Sequence, residues 1–130
     1  MAAAPIRVLL VEDNDIYRAS LELLLGMQEG LEIVGSIGDG ALAATACQSA
    51  RADVVLMDFR LPGADGAEAT TALRSTCPQT AVVCLTAEAS QAEREAVLAA
   101  GAVGLVEKAQ PVEELVVAIR RAAGRSTTWS

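Results

Sequence analysis

The amino-acid sequence predicts an α/β domain built on a parallel sheet. Short runs rich in Val, Ile and Leu alternate five times with longer stretches of helical periodicity along the 130 residues, and this is the pattern of consecutive βα units. A hydrophobic fraction of 52% over this length is enough for one well-filled core and too little for two. We therefore expect a single domain of the α/β class.

Five apolar runs are the predicted strands, and four of them end in polar residues of different kinds. The runs cover residues 6–11, 31–37, 54–57, 81–85 and 103–106. The polar residues after the first, third, fourth and fifth runs are Glu12 with Asp13, Asp58, Thr86 and Lys108. Because parallel strands place their carboxyl ends at one edge of the sheet, where α/β proteins bind ligands, these side chains are predicted to form a binding site.

The stretches between the runs carry start and stop signals of helices. They cover residues 15–28, 41–49, 67–75, 91–100 and 112–123. Ser90 and Glu93 have the spacing of a capping box, in which each side chain binds a free amide proton at the helix start, and Gly101 is suited to end that helix. The last stretch follows Pro111 and has acidic residues in its first turn and arginines in its last, the charge order that the helix dipole favours.

Composition and charge exclude several classes of function. A net charge of −7, a pI near 4.5 and 2% aromatic residues are unfavourable for direct binding of nucleic acid. With no histidine and three cysteines that lack Cys-x-x-Cys spacing, neither a zinc site nor a disulfide framework is expected. The longest apolar stretch, residues 96–106, is about half as long as a membrane span, and the first residues lack the basic start of a secretory signal. We expect a cytoplasmic protein with no membrane partner.

The predicted site has the chemistry of a magnesium-dependent phosphoryl pocket. Two unpaired carboxylates about 4 Å apart repel by roughly 4 kcal/mol at an effective dielectric constant of about 20, so a cluster of three requires raised pKa values or a bound cation. Oxygen ligands favour Mg²⁺. Lys108, the only lysine in the chain, the Thr86 hydroxyl and the Ala87 amide are suited to hold phosphoryl oxygens. Asp58, which stands singly after its run, is the predicted nucleophile.

Four segments of the chain carry specific motifs. They are Val-Leu-Leu-Val-Glu-Asp-Asn at 8–14, Met-Asp-Phe-Arg-Leu-Pro-Gly-Ala-Asp-Gly at 57–66, Leu-Thr-Ala at 85–87 and Gly-Ala-Val-Gly-Leu-Val-Glu-Lys at 101–108. Together they resemble the receiver domain of bacterial two-component response regulators. The 101–108 segment and the short last helix followed by residues 124–130 further resemble the NarL/FixJ class, whose receivers precede a LuxR-type helix-turn-helix domain. The resemblance implies a doubly wound, flavodoxin-like fold with five parallel strands in the order 2-1-3-4-5 and helices on both faces.

The resemblance also implies a magnesium site. Asp13 would bind the ion directly, Glu12 would bind it through water, Asp58 would be a further carboxylate ligand, and Arg60 would lend its backbone carbonyl. The loop that follows Asp58 matches the family at three positions, which are Pro62, Asp65 and Gly66.

The resemblance further implies which residues would contact the phosphoryl group. Asp58, Thr86 and Lys108 match the catalytic positions of the family, with Asp58 as the phosphoacceptor. Lys108 would pair with the phosphoryl group, Thr86 would move toward it as the switch hydroxyl, and the Ala87 amide would complete the phosphoryl-binding set.

The chain departs from the family three residues before Lys108. The family has Tyr or Phe there, whereas this chain has Leu105, so no aromatic ring can report phosphorylation. Either Leu105 repacks as a smaller switch residue together with Thr86, or the signal passes through the Thr86 loop and the fourth helix. Arg60 and Glu88, each two residues after a site residue, are predicted to border the pocket and to pair across it.

The resemblance implies a phosphorylation-activated signalling switch rather than a conventional enzyme. Asp58 would take a phosphoryl group from a sensor histidine kinase, and the domain would catalyse its own phosphorylation and dephosphorylation. The change would alter assembly into a homodimer or contacts with an output domain that regulates transcription. Residues 6–123 would form the receiver domain and 1–5 an N-terminal tail. Residues 124–130 would be a tail, if the receiver stands alone, or the start of a linker to an output domain absent from this chain, if it belongs to a transcription factor. DNA would be bound only through that output domain.

Two other classes of function share part of the pattern. A phosphatase of the haloacid dehalogenase type also combines a nucleophilic aspartate with Mg²⁺, but it requires a second aspartate two residues later, where this chain has Arg60. A phosphorylation-independent docking module would not need the complete set of acidic residues, threonine and lysine. The sequence therefore favours the switch over both.

Overall fold

Strands and helices alternate along the whole described part of the chain. The structure is a computed structural model that describes residues 4–61, 65–88 and 90–124. Its strands are β1 (Ile6–Val11), β2 (Leu31–Ile37), β3 (Val54–Asp58), β4 (Ala81–Thr86) and β5 (Gly104–Glu107). Its helices are α1 (Asp15–Gly26), α2 (Ala43–Ala50), α3 (Gly66–Thr76), α4 (Gln91–Ala99) and α5 (Val112–Ala122), and a 3₁₀ turn at Gly40–Leu42 precedes α2. The predicted rhythm of five βα units is confirmed.

The five strands form one parallel sheet in the order β2-β1-β3-β4-β5, as the resemblance implied. The register aligns the carboxyl ends of the strands. Val11 lies opposite Met57, so the residues after β1 and the last residue of β3 are neighbours. Asp58 in turn lies opposite Leu85, one residue before Thr86. The sheet therefore brings the polar strand ends to one edge.

The central strands are buried on both faces, and each face has its own apolar cluster. On one face Leu9 and Val11 pack with residues of α2 and α3, among them Leu73. On the other face Val8 and Leu10 pack with residues of α1 and α5. Because successive side chains of a strand point to opposite faces, the nearly continuous apolar runs of the sequence fill both clusters.

The element boundaries differ from the predicted ones by one to two residues in most cases. β3 extends to Asp58 because this residue pairs with β4 and the next amide, that of Phe59, donates to the Leu85 carbonyl at 2.8 Å. The first helix ends at Gly26, two residues earlier than predicted, and α2 starts two residues later because the 3₁₀ turn precedes it. Among the helices described, none combines the length and the apolar character needed to cross a membrane.

Candidate phosphoryl and metal site

The segment after β1 places two carboxylates at the edge of the sheet. Glu12 follows the last residue of β1, and its amide still donates to the Ile37 carbonyl at 2.9 Å, which keeps it in line with the strand. Its side chain is only 1% exposed, and its Oε2 accepts a hydrogen bond of 3.0 Å from the Asn14 amide. Asn14 is the N-cap of α1, so strand end, acidic pair and helix start form one tight turn. Asp13, by contrast, is exposed.

Asp58 lies at the centre of the site. Its side chain is almost fully buried, and both of its oxygens have partners: Oδ1 accepts from the Arg60 amide at 3.2 Å and Oδ2 from Lys108 Nζ at 3.0 Å. The Lys108 amide donates to the Thr86 carbonyl at 2.7 Å. This bond fixes the backbone of the lysine beside the end of β4, from where its side chain reaches Asp58.

Lys108 also forms an ion pair with Glu12, with Nζ 2.5 Å from Oε1. Among the described residues, that oxygen has no other hydrogen-bond partner. Burial raises the pKa of Glu12 despite the attraction of the lysine. Burial alone would lower the pKa of Lys108, but the bonds to Glu12 and Asp58 outweigh it and hold the pKa above its usual value. The lysine therefore stays charged, whereas ionisation of the buried Glu12 lowers the free energy of unfolding.

The acidic cluster fits a hard divalent cation. Glu12, Asp13 and Asp58 each offer one carboxylate oxygen, and these atoms lie within 4.8 Å of one another. One ammonium ion cannot neutralise three carboxylates, and an all-oxygen donor set with one exposed member suits Mg²⁺, which keeps several of its waters. The predicted carboxylates of the metal site are thus together.

The remaining predicted residues surround this cluster. Thr86 is buried at the end of β4. Ala87 is exposed and lines, together with Arg60, a cavity of about 400 Å³. Asp65 caps α3 by accepting from the Glu68 amide at 2.8 Å, while Pro62 lies outside the described residues.

Gly66 closes the loop after the acceptor strand. Its amide donates to the Phe59 carbonyl at 2.7 Å, and an added Cβ would come within 2.9 Å of Phe59 Cα. Only a residue without a side chain allows this close approach.

The predicted pairing of Arg60 with Glu88 is wrong. The guanidinium of Arg60 instead binds Glu93, with Nη2 2.9 Å from Oε2. Glu93 is the third residue of α4, and its other oxygen accepts from the Ser90 amide in the predicted capping box, so its carboxylate faces the loop that carries Arg60. Glu88 is exposed and lines the same cavity as Arg60.

Tyr17 lies beside Lys108, and Leu105 lies on β5, the strand next to β4. The Tyr17 ring, which the sequence did not single out, has Lys108 Nζ 4.8 Å from its centroid. Leu105 is half-buried in β5, packs against the cluster formed with α2 and α3, and lines a groove of about 550 Å³ between β5 and α5.

The cost of burying ionised Glu12 gives a testable prediction. Because its pKa is raised in the folded state, the ionised form destabilises the fold at neutral pH, and this loss disappears as the pH falls below the raised pKa. In metal-free buffer we expect Glu12→Gln to have a higher melting temperature than the parent chain near neutral pH, with the difference shrinking toward about pH 4. Glu22→Gln, at an exposed position of α1, is the control. If the difference in melting temperature between Glu12→Gln and the parent chain grew on acidification, the raised pKa of Glu12 would be contradicted.

Comparison with known proteins gives the family. Residues 8–120 match the response regulator receiver domain. The chain is 36% identical over 115 residues to the response regulator GacA of Pseudomonas viridiflava, covering 88% of this chain and 54% of GacA. It therefore spans about half the length of such relatives.

Solved structures agree with this match. The signal receiver domain of NarL from Mycobacterium tuberculosis superposes with a TM-score of 0.89 at 30% identity, covering 94% of this chain and 98% of that one. A two-component response regulator of the LuxR family from Aurantimonas sp. SI85-9A1 gives a TM-score of 0.87 at 32% identity, covering 94% and 88%. The chain belongs to the response regulator receiver domain family of two-component systems.

Proposed function

We propose that this receiver is switched by phosphorylation of Asp58 with a sensor histidine kinase as the donor. The observation that carries the proposal is the environment of the Asp58 carboxylate, which is buried, bonded to the only lysine of the chain and grouped with two further carboxylates. A carboxylate so placed can attack phosphorus, because positive charge is already positioned where negative charge develops.

The chain's own residues account for the transfer step. An oxygen of Asp58 forms a bond to phosphorus while the bond from phosphorus to the donor imidazole nitrogen breaks, and the electron pair leaves with that nitrogen. The Lys108 ammonium, already 3.0 Å from Asp58 Oδ2, balances the charge of the phosphoryl oxygens. The Thr86 hydroxyl and the Ala87 amide are the proposed further donors to these oxygens.

Mg²⁺ is the proposed cofactor. Glu12, Asp13, Asp58 and the Arg60 carbonyl would hold it, and when bound it supplies positive charge beside the phosphoryl oxygens. The three carboxylates support this proposal because their oxygens already lie within 4.8 Å of one another.

The phosphorylated state would end by hydrolysis, so the domain would act on itself and not turn over a separate substrate as a conventional enzyme does.

The lengths of the relatives support the presence of a second domain in the full protein, because GacA is about twice as long as the region that this chain matches. We propose an output domain that controls transcription, joined through residues 124–130, with homodimer formation as part of the response. The receiver, residues 6–123, would work in the cytoplasm.

Signal transmission must proceed without an aromatic ring at position 105. Thr86 and Leu105 are the proposed switch residues, because Thr86 ends β4 beside the acceptor and Leu105 lies opposite Cys84 on the neighbouring strand. The groove beside Leu105 leaves room for the side chain to repack when Thr86 moves.

The proposal is tested by incubating the chain with acetyl phosphate and Mg²⁺ and mapping any adduct by mass spectrometry. We expect one added phosphoryl group on the peptide that contains Asp58. A docking module, the rival function, gains no phosphate. An unmodified chain, or a phosphoryl group on another residue, would reject the proposal.

The Arg60–Glu93 ion pair is expected to set the lifetime of the phosphorylated state. Glu93→Gln retains the cap of α4, since glutamine also satisfies a capping box, but frees Arg60 to pair with the phosphoryl group and shield it from water. We expect dephosphorylation to slow about two- to threefold, in line with the small effect of exposed ion pairs. Arg60→Ala/Glu93→Gln serves as the control and should lose the slowing; decay curves of Glu93→Gln and parent that coincide would refute the idea.

A further inference from the structure

The Tyr17 ring is a neighbour of the Lys108 ammonium that the proposed chemistry does not use. Lys108 Nζ lies 4.8 Å from the ring centroid, within the range of a cation–π interaction. Tyr17 occupies the first turn of α1, where its amide donates to Asn14 Oδ1 at 2.9 Å. The N-cap that holds the acidic turn therefore also places the ring.

The surroundings of the ring favour a fixed position. Tyr17 is half-buried and packs against the apolar cluster formed with α1 and α5. A small cavity of about 170 Å³ lies beside it, lined by Tyr17, Lys108 and mostly apolar side chains such as Leu21, Leu85 and Leu115. Without the ring, this cavity would enlarge next to the lysine stem, and the ammonium would gain alternative positions.

The Lys108 ammonium thus has three neighbours that carry negative charge or a negative partial charge. Two are the carboxylates of Glu12 and Asp58, and the third is the electron-rich face of the Tyr17 ring. An ammonium ion has three hydrogen-bond donors on a flexible four-carbon stem, so it needs such contacts to stay in one place.

We infer that Tyr17 is a positioning residue whose ring holds the Lys108 ammonium against Asp58, and thereby sets the rate at which Asp58 gains a phosphoryl group. The inference concerns a residue that none of the site motifs contributes, and its kinetic part rests on the proposed function. The ring, not the hydroxyl, is the active group, so Tyr17→Phe retains the effect and Tyr17→Leu loses it.

The contact itself can be observed without any phosphorylation. Because Lys108 is the only lysine, a chain grown with nitrogen-15-labelled lysine shows one side-chain ammonium signal in a proton–nitrogen correlation spectrum. Ring current shifts its protons upfield in the parent and in Tyr17→Phe, and we expect a downfield change in Tyr17→Leu. Identical shifts in all three chains would overturn the inference, even if Asp58 is phosphorylated.

The kinetic consequence is measured with acetyl phosphate and Mg²⁺. We expect Tyr17→Leu to be phosphorylated about fivefold more slowly than the parent, and Tyr17→Phe to stay within about twofold, from the usual strength of partly desolvated cation–π contacts. Leu23→Ala, an exposed change on the same helix, and melting curves of all variants control for altered folding. Equal rates in the parent and Tyr17→Leu, or an equal loss in Tyr17→Phe, would reject a positioning role of the ring.

Discussion

Asp58→Asn is expected to gain no phosphoryl group from acetyl phosphate under conditions that modify the parent chain. An amide lacks the nucleophilic charge of a carboxylate, so the covalent step is lost entirely. The fold should persist, since Asn can still accept from the Arg60 amide and Lys108 keeps its pair with Glu12. Intact mass after incubation with the donor and Mg²⁺ is the measurement.

The matched control lies at the other end of the same strand. Asp53 directly precedes β3, and its Oδ2 accepts from the Arg7 amide at 2.9 Å. Asp53→Asn removes the same charge from the far edge of the sheet and should leave phosphorylation at the parental rate. Phosphorylation of the Asp58→Asn chain would show that another residue is the acceptor.

Lys108→Met is expected to slow phosphorylation by about 10²- to 10³-fold, the usual cost of losing a preorganised charge at a reacting oxygen. Methionine has a similar shape but leaves Glu12 and Asp58 without a counterion. Breaking such a buried pair should lower the free energy of unfolding by about 2 kcal/mol in metal-free buffer. Added Mg²⁺ should restore much of this stability, because it binds the folded state alone.

A double variant separates the two effects. Glu12→Gln/Lys108→Met removes the charges of both Glu12 and Lys108, so its stability should recover part of the loss, because one buried carboxylate, that of Asp58, is then left without a counterion instead of two. Phosphorylation should remain slow, since the ammonium is still absent. Melting curves and initial rates test the two statements independently. A Lys108→Met chain phosphorylated at the parental rate would show that the lysine has no part in transfer.

The strands and the location of the site could be predicted because both depend on local pattern. Buried parallel strands appear as apolar runs, and the residue after each run must lie at the carboxyl edge of the sheet, which is where Glu12, Asp58 and Lys108 are found. The order of the strands in the sheet cannot be predicted in this way, because several orders are compatible with the same apolar runs. Only the family resemblance predicts the observed order.

Contacts between distant helices and loops could not be predicted. The capping-box spacing predicts the role of Glu93 as a helix cap, but the second contact of Glu93, with Arg60, depends on how α4 is placed over the sheet. Tyr17 in an amphipathic helix is typical of a core residue, and no local pattern indicates that Lys108 lies over its ring. Such pairs are fixed by tertiary packing and not by sequence spacing.

The two oxygens of Glu93 connect the entrance of the pocket with the beginning of α4. Oε2 binds the guanidinium of Arg60, whose own amide is bonded to Asp58, and Oε1 binds the Ser90 amide. The loop that carries Arg60 and the first turn of α4 are therefore linked by a single carboxylate. A phosphoryl group on Asp58 would compete with that carboxylate for the arginine, and phosphorylation would then have an electrostatic route to α4 that requires no rotating ring.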